Sequence, residues 1–62
     1  MALPTDDGYL IEFRQIGGSV KVSAIDPVSR TEVSIVGPST ASQAQLKAGA
    51  IAKLEFMLAK QK

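Results

Sequence analysis

Apolar and polar residues alternate in three successive runs along this chain. In "YLIEFRQI" (9–16), Tyr9, Ile11 and Phe13 fall on one face, with Glu12 and Arg14 on the other. In "SVKVSAI" (19–25), Val20, Val22 and Ala24 oppose Lys21 and Ser23. A period of two is the signature of half-buried strands. Gly17-Gly18 separates these runs, and glycine tolerates the positive φ that a two-residue hairpin turn needs. Pairing Ile16 with Ser19 places Phe13 opposite Val22 and Ile11 opposite Ala24, so every apolar partner shares a face.

The third run, "TEVSIV" (31–36), must bring Val33 and Ile35 to that same face. This requires Ala24 opposite Val33, Val22 opposite Ile35, and Asp26 opposite Thr31, leaving Pro27-Val28-Ser29-Arg30 as the loop. Asp26-Pro27 suits the first two positions of a type I turn, with the Asp carboxylate able to accept from backbone N–H groups. Arg30 is expected at or near a left-handed position, where glycine is easier.

After Gly37-Pro38 the period changes. Thr40 with Gln43 three residues on fits a capping box, and Ser39 is an alternative cap. The spacing predicts a helix from about Ala41 to about Lys60. Its main apolar arc is Leu46, Ala50, Ile51, Leu54, Met57 and Leu58, directed at the apolar sheet face. The fold class that follows is α+β: a three-stranded antiparallel β-meander packed against one C-terminal α-helix (βββα). It occupies residues 8–62 as one domain. Residues 1–7, which include Pro4, Thr5, Asp6 and Asp7, lack periodicity and are expected to form a flexible, solvated tail.

Size changes this picture. A domain of 62 residues buries only roughly 60% of the surface its unfolded chain exposes, and is marginal alone. The chain has no Cys and no His, which removes disulfides and the common zinc sites. Association with a second copy or a larger protein becomes the leading remedy.

Charge is nearly balanced, with 7 Lys+Arg against 6 Asp+Glu, so no whole-protein field favours nucleic acid or anionic membrane. "MALPTDDGY" lacks the basic and apolar regions of a signal peptide, and no apolar run reaches the roughly 20 residues of a membrane span. The expectation is a soluble cytoplasmic protein with no membrane partner.

Chemistry is sparse. Glu12, Glu32 and Glu55 belong to different elements, no serine has an evident base, and Gly17-Gly18-Ser19 lacks the rest of a phosphate loop. No catalytic residue, cofactor or metal is expected, and the chain is read as a non-enzyme. Interaction surfaces stand out more. Ala41, Ala48, Ala52 and Ala59 gather on one helix flank, with Phe56 beside them. Leu10 and Ile25 are expected as cross-strand neighbours on the otherwise polar sheet face, with Ile16 and Val36 toward its other end. The "TEVSIV" edge carries Glu32 and Ser34 and could pair with another strand. The expected partner is therefore a second copy, as a homodimer or other homo-oligomer, or a larger protein. The alternative is a nucleic-acid-binding module using Arg14 and Lys21 on the sheet with Lys47, Lys53, Lys60 and Lys62 on or after the helix. Phe13 belongs to the core face in this reading, which leaves no aromatic platform for stacked bases.

The run "EFRQIGGSVKVSAIDPVSRTEVSIVGP", followed by an Ala/Gln-rich helix, resembles a family of very short alphaproteobacterial proteins of unknown function. That resemblance spans nearly the whole chain after the tail. It implies the same fold and a bacterial cytoplasmic setting, and it carries no activity to transfer. The chain departs from the family at Ser29-Arg30, where Thr-Gly is the family's pattern.

Overall fold

Both hairpins close in the register that alternation demands. A computed structural model describes residues 2–4 and 8–61. It contains β1 (Ala2–Pro4), β2 (Leu10–Ile16), β3 (Ser19–Asp26), β4 (Thr31–Pro38) and α1 (Gln43–Lys60). The strands form one antiparallel sheet in the order β1-β2-β3-β4. Phe13 pairs with Val22 and Ile11 with Ala24; Val22 pairs with Ile35, Ala24 with Val33 and Asp26 with Thr31. The βββα architecture is thus present, with one addition. Over Ala2–Pro4, where a tail was expected, the chain pairs with residues 10–12 of β2. The rest of that expected tail, residues 1 and 5–7, lies outside the described residues. Tyr9, expected within the first strand, precedes it and packs against the core.

The turns show how local chemistry holds the register. Gly17 has φ 60°, and Gly18 does not share a positive φ, the pattern of a type II′ turn. Arg30 is left-handed at φ 62°. Its N–H donates to the Asp26 carbonyl at 2.7 Å, which closes the four-residue loop that the pairing of Asp26 with Thr31 requires. The Asp26 carboxylate accepts from the Val28 N–H at 3.2 Å and from the Ser29 hydroxyl at 2.9 Å.

The helix begins later than the sequence suggests. Ser39 N–H still belongs to the sheet, donating to the Gly18 carbonyl at 2.9 Å, and Ala41 N–H folds back onto Pro38 O at 3.0 Å. Residues 39–41 are therefore spent on the turn. Ser42, not Thr40 or Ser39, is the cap: its hydroxyl accepts from Gln45 N–H at 3.1 Å. Ala41 accordingly lies outside the helix and packs against the core.

Helix α1 crosses β3 and β4 and buries Leu46, Ala50 and Leu54 against Ile11, Val22, Ala24 and Val33. Ile51 and Leu58 pack at the margin. Met57, expected in the core, is 37% exposed. Each step of four residues advances about 40° around a helix axis. The contact line therefore winds from Leu46 through Ala50 and Leu54 to Leu58, and leaves Met57 at its side.

Candidate interaction surfaces

Three surfaces follow from this packing: the outward line of the helix, the sheet face away from it, and the open edge of β4. Opposite the buried line runs a second line four residues apart, Ala48, Ala52, Phe56 and Lys60, all exposed. Ala59, also exposed, lies beside it. Phe56 is 60% exposed, and the Lys60 ammonium stands over its ring, 4.9 Å from the centroid. An ammonium over a ring face is attracted by the ring's quadrupole, but it covers only one side of the phenyl group.

On the far sheet face, Leu10 and Ile25 are the expected cross-strand pair, and both are half-buried. At the other end Ile16 and Val36 are 57% and 68% exposed, with Lys21, the partner of both Arg14 and Val36, between them. The two apolar groups stay apart. The central Ser23, flanked by Glu12 and Ser34, is buried.

The open edge of β4 can be read from a single hydrogen bond. Because Ser39 N–H bonds Gly18 O, ladder alternation assigns the inward bonds of β4 to Gly37, Ile35, Val33 and Thr31. The backbone N–H and C=O groups of Glu32, Ser34 and Val36 consequently point away from β3. Pro38 shares their phase, where its missing N–H costs the sheet nothing. The Lys53 ammonium donates to the Ser34 carbonyl at 3.0 Å. Within β4 itself Glu32 is the one charged residue. Lys53 is one of several helix lysines, and nothing in the sequence says which side of the helix overlooks β4.

The basic residues of the nucleic-acid alternative are divided. Arg14 and Lys21 form a cross-strand pair on the far face. Lys47, Lys53 and Lys60 are carried by the helix layer, with Lys53 on Ser34 and Lys60 on Phe56. Lys62 lies outside the described residues. Among the described residues, no group of three or more His, Cys, Asp or Glu could hold a metal ion, and no helix is long and apolar enough to cross a membrane.

A family model described as "domain of unknown function (DUF6898)" matches residues 6–61. The chain belongs to this family. The match takes in all three long strands, both hairpin turns and the helix. No curated protein and no solved structure matches the chain.

Proposed function

We infer that this family member is a small, non-enzymatic protein–protein interaction module of the bacterial cytoplasm, which self-associates or docks on a larger protein. The observation that carries this reading is Phe56: a phenyl ring 60% exposed on a line with Ala48 and Ala52, facing away from its own sheet. Alanines let another backbone approach closely, and an aromatic side chain beside them offers the large buried area that anchors interfaces. The core supports the same reading. Seven buried apolar residues among those described are few, and binding energy from a partner adds directly to the stability of a small domain.

Sedimentation of the chain at micromolar concentration, with Phe56→Ser as control, tests self-association. Affinity purification from the native host with the same pair of proteins tests docking. The expected result is a complex formed by the unaltered chain and lost in Phe56→Ser, whose thermal unfolding stays within a few degrees. A monomer that captures nothing more than its Phe56→Ser variant does would overturn the reading.

A further inference from the structure

Helix α1 runs antiparallel to β4, and one line of residues four apart follows the strand. Gly49 lies against Ile35, whose Cδ1 would be 3.3 Å from a β-carbon at Gly49. Lys53 bonds the Ser34 carbonyl, and the Thr31 hydroxyl donates to Gln61 Oε1 at 3.2 Å. Met57 belongs to this line between Lys53 and Gln61, which puts it above the Glu32–Val33 stretch. The open side of β4 is therefore overlooked by a residue with no side chain, then an ammonium, then a flexible thioether. Along the edge below, Glu32, Ser34 and Val36 direct their backbone groups outward.

We propose that this edge takes up an extended strand from another protein, and that the strand carries an acidic residue flanked at alternate positions by apolar ones. Strand addition draws affinity from main-chain hydrogen bonds and specificity from what alternate side chains meet. On the helix side of an added strand, successive inward residues are spaced about 6.6 Å apart, close to the roughly 6 Å between residues four apart on a helix. One apolar residue lies beside Gly49 against the half-buried Ile35, a carboxylate meets Lys53, and a second apolar residue lies against Met57, whose unbranched chain adapts to what it packs on. Lys53 exchanges one exposed bond to Ser34 for a carboxylate, a small loss for an exposed group. Charge also selects against a second copy of this chain at the same edge. Pairing β4 with itself about Ser34 brings two Lys53 ammonium groups together over the seam with no carboxylate from the helix line between them. Inward-directed lysines of this kind are how open edges avoid self-pairing.

This proposal rests on the interaction reading above and names the partner's chemistry at a surface other than Phe56. Its test is an amide-shift titration of the isotopically labelled full chain. The probe is the acetylated, amidated peptide TVTETLT, which presents valine, glutamate and leucine on one face and threonine on the other. The Glu32, Ser34 and Val36 amides are expected to shift together. Replacing the glutamate by glutamine should weaken binding about fivefold, and by lysine about tenfold or more. Lys53→Ala should abolish the difference between the glutamate and glutamine peptides. Val36→Pro, which removes an outward N–H and no ladder bond, should abolish binding. Amides that stay unmoved at millimolar peptide overturn the proposal. So does equal binding of the glutamate and lysine peptides, or self-association of the unaltered chain that Val36→Pro removes. If the edge ignores the peptide while Phe56→Ser still abolishes association, only the edge assignment fails.

Discussion

Leu46 closes over Gly37: a β-carbon on Gly37 would stand 2.5 Å from Leu46 Cδ2. The first buried residue of the helix rests on backbone near the end of β4. Leu46 is itself 8% exposed and has little room to retreat. Gly37→Ala is expected to cost about 1–3 kcal/mol through overpacking. Urea unfolding should show this loss. In the Leu46→Ala background the same alanine should cost much less, because the clashing methyl is gone, and the two effects should not add.

Of the helix's large side chains, the most deeply buried lies at its middle. Leu54 is fully buried, at 0% exposure, among β-sheet residues. Leu54→Ala should lose about 2–5 kcal/mol. For a domain of this size such a loss approaches total stability, so the variant should show little cooperative melting. Leu58→Ala, at the margin of the same contact line, should lose less and remain folded by circular dichroism.

Two serine- or threonine-led caps are possible by spacing, and only one is built. Ser42→Ala should destabilise the chain by about 1 kcal/mol, since it leaves the Gln45 N–H without its acceptor. Thr40→Ala, in the turn before the helix, should fall within about 0.5 kcal/mol of the parent. Equal losses for both in thermal melts would contradict the cap geometry.

Arg30 holds a left-handed conformation that costs an ordinary L-residue roughly 1–2 kcal/mol. Arg30→Gly keeps the backbone bond to Asp26 and removes that strain, while the looser unfolded chain returns part of the gain. A net increase of about 0.5–1 kcal/mol in unfolding free energy is expected. Asp26→Ala should move the other way, because Val28 and Ser29 lose their shared acceptor.

What was legible in the sequence was whatever a period of two or 3.6 controls. One-residue slips would have turned Val33 and Ile35 outward, so the register of β2, β3 and β4 could be read directly. The start of the helix could not, because Thr40 with Gln43 and Ser42 with Gln45 have the same spacing. The choice between them depends on Ser39 reaching back to Gly18. Met57 was misplaced because a flat projection of the helix ignores the winding of its contact line. The surface candidates divide similarly. Periodicity separated Phe56 and the alanines from the core, and it set the helix lysines on the opposite layer from Arg14 and Lys21, yet it could not place Lys53 on Ser34. That contact depends on the helix's rotation about its own axis, which packing decides.

Strand order in this sheet is chain order, and the helix returns to the two strands that precede it. Each pairing thus joins segments adjacent along the chain, so little loop-closure entropy must be met before contacts begin to form. Mixed domains with such local wiring fold in roughly milliseconds. A chain with so small a core would then spend little time unfolded on each excursion, and its survival would rest on the speed of return as much as on the depth of the native well.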